Sequence, residues 1–488
     1  MMTSKPDHSG QSSVRDEFFW LCEINRASTV INTHEGLLDR SLVSGIARGL
    51  QRVLAAGNEP NGKRPDRVIT FEPLLIEAAG VEATLLHAGR SSQDMLTTTH
   101  NAIIRDDTLH LAEQLCQTTR TMVQIAEAHI DTVVPNYTNG VAAQPNSYGH
   151  YLLGHVAGLE RDAQRLRQFY VRLDRCAMGT TVLNGSSWPL NRDRMAAYLG
   201  FAATVDNAYD AAQISACESP VELGALATSI ALHAGAFIQD VMVQYAQPRP
   251  WILLQEGGEN TYVSSAMPQK RNPGLLNRTR ANASRVITLG IGRAIQAHNV
   301  PPGMPDVKNS DASCEILNST SQVLSDWKQI LEALIIDPKR ALEELNLDWT
   351  ASQELADVLM RQHKLPFRVG HHFASKVVTY AKAHDIRPSD FSYVEAKRIY
   401  AETLLEMKVS GDSFPLSEIG FFATLDPVNI IRSRATAGGP QPTEMARMLM
   451  KAKELLIEQE SWIHERRNFI DTAQSQLQAD FENLLGVE

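Results

Sequence analysis

YLLGHVAGLERDAQRLRQFYVRL, residues 151–173, carries an apolar seam at Leu152, Val156, Leu159, Ala163, Leu166, Tyr170 and Leu173. The steps alternate between four and three, which returns each side chain to one face of an α-helix, and no proline interrupts them. So long a seam predicts a helix packed against several others. Towards the N-terminus, Ile104, Leu111, Leu115, Met122 and Ile125 repeat by sevens, fours and threes, the spacing that long packed helices require. Towards the C-terminus, LLNRTRANASRVITLGIGRAIQA (275–297) is a third helical candidate, and alternating strand patterns of useful length are scarce. The expected fold class is all-α. Irregular, polar or proline-rich segments are expected at 57–67, 133–149, 184–192, 246–275 and 299–311, and loops of this kind carry function more often than the helices they join.

With 488 residues and 43% hydrophobic content, the chain can bury a large core, and its length favours several domains. Lys and Arg total 46 against 56 Asp and Glu, a formal charge of -10, so no basic excess points to nucleic acid or an anionic membrane. Five scattered cysteines without a CxxC fit a reducing compartment and argue against a disulfide framework or a zinc cage. The first fourteen residues lack a signal-peptide h-region, and no stretch offers about 18 uninterrupted apolar residues, so a cytoplasmic protein with a loose N-terminal tail is expected. His150 and His155 stand about 140° apart on a helix and do not share a face for a metal.

TYVSSAMPQKRNPGLLN (261–277) reads as neither helix nor strand, because Pro268 and Pro273 keep it irregular. It sets Ser265, Lys270 and Asn272 within eight residues of one another. A serine alkoxide becomes accessible where a lysine and unpaired N–H groups supply positive potential in a site closed to water. The S-x-x-K spacing of serine hydrolases is absent.

The string SSAMPQKRNP resembles the signature loop of the fumarase/aspartase superfamily, and MPQKRNP is most similar to its argininosuccinate lyase branch. LLHAGRSSQD (85–94), PNYTNGVAAQP (135–145), LNGSSWPLNRDRMAAYLGF (183–201), KLPFRVGHHFASKVV (364–378) and LDPVNIIRSRATAGG (425–439) resemble further segments of those lyases in the same order. The resemblance implies a three-domain, all-α lyase with a central long-helix bundle, assembled as a homotetramer with active sites shared between subunits. The domains would be 1–100, with a disordered tail at 1–14, then 101–363 with the signature loop, and 364–488. The implied reaction is a cofactor-free, metal-free β-elimination from an N-substituted L-aspartate, giving fumarate and an amine. Ser265, Lys270 and Thr138 would be catalytic. Arg90, Ser91, Ser92, Gln93, Asn139, Ser264, Met267, Asn272 and Asn277 would contact the dicarboxylate. Several fixed donors are needed because removing a proton beside a carboxylate creates a doubly charged aci-carboxylate, and each donor is worth about 3 kcal/mol by analogy with oxyanion-hole deletions.

The sequence departs from that family in two places. Its Thr-His pair is Thr138-Asn139 here, and its glutamate five places after the motif's asparagine is Asn277, so both members of a charged pair have become amides. Where argininosuccinate lyases present a tyrosine, a glutamine and a lysine, the chain aligns Met304, Asn309 and Ala312, and Ser28 stands where a histidine is common. The succinyl half of the site is kept and the other half rebuilt, which favours an aminopolycarboxylate or related substrate over argininosuccinate itself. The alternative function is a catalytically inert paralogue of the lyase fold.

Overall fold

The structure is a computed structural model that describes residues 15–303, 310–411 and 413–486; Met304 and Asn309 lie outside the described residues. Asp16 accepts a hydrogen bond from Phe19 N at 3.0 Å and so starts α1 (Glu17–His34), most of which is buried. α2 (Arg40–Asn58) and α3 (Val68–Ala79) pack around it over a core containing Trp20, Ile24, Val43, Leu50 and Phe71. Met178, Leu199, Phe201, Leu477 and Phe481 enter the same core, so it is assembled from well-separated stretches of sequence.

α4 (Ser92–Ala128) has 37 residues. Its start is fixed by a capping box: Ser91 Oγ accepts from Gln93 N at 3.2 Å, and Asp94 Oδ1 accepts from Ser91 N at 2.9 Å. A hairpin, β1 (Val133–Thr138) and β2 (Val141–Ser147), then turns the chain into α5 (Tyr148–Leu173). Segment 133–149, expected to be irregular, is therefore ordered by strand pairing. The signal was Asn139-Gly140, whose φ values of 52° and 77° form the type I′ turn that Asn-Gly favours. In α5 every seam residue is buried except Ala163, which packs partly buried against the same core.

Short strands β3 (Arg175–Cys176) and β4 (Ala203–Thr204) flank α6 (Arg192–Tyr198) and pair in parallel. After a π-helical turn comes α7 (Ser215–Tyr245), which the sequence patterns did not single out. With its preceding turn this helix is long and apolar enough to cross a bilayer by length and composition, yet half of its most apolar window is buried in the bundle. β5 (Ile252–Leu254), β6 (Tyr262–Val263) and β7 (Arg271–Asn272) lead to α8 (Gly274–Ala297), followed by α9 (Ser310–Glu332). β8 (Leu334–Ile336) pairs antiparallel with β5. A Cβ on Gly224 would meet Gly290 O at 2.7 Å, so paired glycines let α7 and α8 approach closely. Gly224 is early in α7 and Gly290 late in α8, so the two helices run antiparallel. The bundle core includes Leu115, Leu152, Leu159, Ile230, Phe237, Val286, Leu324 and Trp327.

α10 (Pro338–Leu347) is capped by Asp337. α11 (Ser352–His363), α12 (Phe367–Ala383), α13 (Tyr393–Glu406), α14 (Glu418–Leu425) and α15 (Pro427–Ser433) follow. Phe373, Phe391, Tyr400, Phe414 and Phe421 lie in the separate core of this region. The 44-residue α16 (Pro442–Leu485) then runs back along the bundle and ends in the first core.

Candidate active site

The signature loop hangs from a two-stranded ribbon in which Tyr262 pairs with Asn272 and Val263 with Arg271. Two residues per strand are too few to show a period in sequence, which is why the loop read as strandless. Ser264 organises the turn: its N–H donates to Lys270 O at 3.2 Å, and its Oγ accepts from Met267 N at 3.2 Å and Ala266 N at 3.4 Å. Arg271 ties the loop to Glu256 at 2.9 Å, and Asn272 Nδ2 donates to Tyr262 O at 3.4 Å. Ser265, Met267 and Lys270 are exposed, and neither the Ser265 hydroxyl nor the Lys270 amine has a hydrogen-bond partner among the described residues. Asn277 is exposed near the start of α8, the positive end of that helix.

Thr138 and Asn139 are exposed at the tip of the β1–β2 hairpin. Their backbone is held by Tyr137, a residue the sequence reading did not single out. Its hydroxyl donates to Glu344 Oε1 at 2.5 Å and accepts from Gln244 Nε2 and Trp251 Nε1, each at 2.9 Å. The hairpin is thereby pinned to the end of α7. Because α8 runs antiparallel to α7, the signature loop lies at this same end of the bundle.

Arg90 sits at the other end. One of its nitrogens donates to Ser28 Oγ at 3.0 Å, and both terminal nitrogens reach Asn25 Oδ1 at 3.1 and 3.2 Å. Both partners are neutral. Burial pushes the Arg90 pKa down to about 10, opposed by Asp94 and Glu72, so the group is still a cation at neutral pH. An inward-held guanidinium whose direct partners carry no charge is suited to a carboxylate. Asn25 was not picked out in sequence, although it lies three residues before Ser28, which was. Ser91 is engaged in the α4 cap, Ser92 is exposed on the first turn and Gln93 is half-buried beside it. Asp94 Oδ2, fully buried, accepts from Gly179 N at 3.0 Å and Thr181 N at 3.1 Å and anchors this end.

Thus the structure brings Ser264, Ser265, Met267, Lys270, Asn272, Asn277, Thr138 and Asn139 to one end of the bundle, and Arg90, Ser91, Ser92 and Gln93 to the other. α4 separates the two groups by about 55 Å, at 1.5 Å per residue. One substrate cannot touch both sets within a single copy of the chain.

Residues 66–288, which hold every one of these side chains, match the family described as Lyase, and residues 349–431 match the argininosuccinate lyase C-terminal family. The chain belongs to the argininosuccinate lyase-like branch of the fumarase/aspartase superfamily. It is accordingly an enzyme of the lyase class. Argininosuccinate lyase of Methanothermobacter thermautotrophicus is 26% identical over 449 residues, covering 90% of this chain and 92% of that one. That of Methanosarcina mazei is 26% identical over 473 residues, covering 95% and 91%. Among solved structures, EDDS lyase in complex with formate superposes with a TM-score of 0.85 at 22% identity, covering 96% of this chain and 92% of that one. Class II fumarase of Schistosoma mansoni gives 0.64 at 15% identity, covering 85% and 90%. The lyase fold is thus shared across the whole bundle.

Proposed function

We propose that this lyase cleaves the C–N bond of an N-substituted L-aspartate, reversibly and without a cofactor, releasing fumarate and an amine. One observation carries the reading: the signature loop presents Ser265 and Lys270 unpaired, beside Asn272 and the start of α8, in a chain of this family. Ser265, as alkoxide, takes the proton from the β-carbon. That C–H electron pair becomes the C=C bond as the C–N bond breaks, and the nitrogen leaves with its electron pair and gains a proton from water. Lys270 and Asn272 hold the carboxylate on which charge grows, Arg90 holds the second, and Thr138 donates from the hairpin.

The two-ended arrangement supports a homotetramer whose sites combine loops from different copies. Ser265→Ala and Arg90→Ala should each be inactive alone. Unfolded and refolded together, they should regain roughly a quarter of wild-type activity, because random assortment leaves that share of sites with both residues intact. No recovery in the mixed assembly would mean that the two side chains serve the same site from one copy.

Asn139 replaces the histidine of the family at a position where φ is 52°, which asparagine and glycine tolerate. The site then lacks an imidazole at this position. Asn139→Gly keeps the turn, so the pH profile of kcat/KM should retain every limb of the wild type. A limb that disappears in this variant would show that residue 139 takes part in proton transfer.

A further inference from the structure

Between the hairpin, the end of α7 and α11 lies a cavity of about 630 Å³ with Thr138 on its lining. Its walls are aromatic. The Tyr148 and Tyr151 rings stack at 5.5 Å with an interplanar angle of 18°, and Trp251 meets Tyr148 edge-on at 5.8 Å. The fully buried Tyr148 hydroxyl has no hydrogen-bond partner among the described residues. Asp240, an exposed carboxylate on the lining, accepts from the Tyr151 hydroxyl at 2.7 Å. No lysine, arginine or histidine lines the space, and no basic group forms an ion pair with Asp240 among the described residues. Two imidazoles pack against these rings, His155 on Tyr151 and His129 on Tyr148, and burial lowers the pKa of each, so both are neutral at pH 7. On the far side, Gln144 Nε2 donates to Gln353 Oε1 at 2.7 Å and joins β2 to α11.

Electron-rich aromatic walls and a carboxylate without a counter-ion among the described residues together suit one ligand class, a protonated alkylamine. The chain's net charge of -10 favours the approach of such a cation. We propose that this cavity receives the amine half of the substrate as an alkylammonium, with Asp240 as counter-ion and Tyr148, Tyr151 and Trp251 as walls. The inference rests on the lyase reading and sharpens it: the preferred substrates are aspartates whose nitrogen substituent carries a second protonated nitrogen, as in adducts of short diamines. Thr138 on the rim places the cavity beside the hairpin's contribution to the reacting end.

The test uses the full-length protein and Asp240→Asn. By titration calorimetry, 1,2-diaminoethane and 1,4-diaminobutane should bind the wild type and bind the variant about tenfold more weakly, a difference of about 1.4 kcal/mol. Tyr151→Phe, which keeps the ring and removes the hydroxyl donor to Asp240, should weaken binding less. In the addition direction, Asp240→Asn should lower kcat/KM for fumarate with a diamine about tenfold and leave it unchanged with a monoamine of equal length. Equal diamine affinity in both proteins, or an equal loss with both amines, overturns the assignment. Monoamine addition reports the lyase reading alone, and diamine binding by the wild type reports the cavity alone. Failure of one is therefore distinguishable from failure of the other.

Discussion

Ser265→Ala should lower kcat for fumarate formation by roughly 10²- to 10⁴-fold, the contribution of a positioned general base, with little change in KM. The side chain is exposed on its ribbon and has no hydrogen-bond partner among the described residues, so its loss removes no contact that stabilises the fold. The thermal transition should be unchanged, which separates loss of chemistry from loss of structure. Ser264→Ala is the informative neighbour. It removes the acceptor for Met267 N and Ala266 N, so the loop loosens and KM rises together with a fall in kcat. Steady-state kinetics on both variants distinguish a proton-transfer defect from a positioning defect. Wild-type turnover in Ser265→Ala would remove the serine from the reaction.

The largest expected loss of stability lies at Arg105. This fully buried side chain projects from α4 and donates to Gly200 O at 2.5 Å, Leu199 O at 3.1 Å and Asp174 Oδ1 at 3.2 Å. Its guanidinium also lies over the Phe201 ring at 4.3 Å and the Trp20 ring at 5.6 Å. One group thus joins the bundle to the N-terminal core and to the turn after α6. Arg105→Met keeps the bulk but leaves Asp174 buried without its cation, which should destabilise the fold by about 3–5 kcal/mol. Burial already raises the Asp174 pKa and Arg105 opposes that rise, so the variant's carboxyl should titrate higher still. A carboxyl whose folded pKa lies above its unfolded value contributes stability at low pH and loses it as pH rises through the folded pKa. The deficit in Arg105→Met should therefore shrink on acidification, and Asp174→Asn in the same chain should recover much of it at neutral pH. Denaturant melts of the two variants at pH 5 and pH 8 check both statements.

The helices that were legible in sequence are those whose apolar residues fall on one narrow stripe. Leu152 through Leu173 became α5, and residues 275–297 became α8 to within one residue. α7 was not legible because it is apolar over much of its circumference, with Leu232 exposed and Ile230 buried, so no single seam stands out. Paired glycines, not a heptad, set its contact with α8. The hairpin was readable in principle from Asn139-Gly140, but Pro135 and Pro145 within the strands mask the alternation that a strand pattern needs.

Site chemistry was more visible than site geometry. Ser265, Lys270 and Asn272 announce themselves by residue type on one loop. The supporting residues do not, because Tyr137 acts through a hydroxyl shared with Glu344, Gln244 and Trp251, all distant in sequence. The same holds for Asn25, which matters only because Arg90 folds back onto α1. The division of the candidate residues between two ends follows from the uninterrupted length of α4, of which only the part from Ile104 was evident as a seam.

The most direct measurement of the central claim is proton NMR of fumarate and 1,2-diaminoethane incubated with the purified protein in D2O. Disappearance of the fumarate vinyl signal, with one deuterium delivered stereospecifically to the carbon beside the new C–N bond and no reaction with Ser265→Ala, is the predicted result. Persistence of the fumarate signal with folded, assembled protein across a panel of mono- and diamines would contradict it.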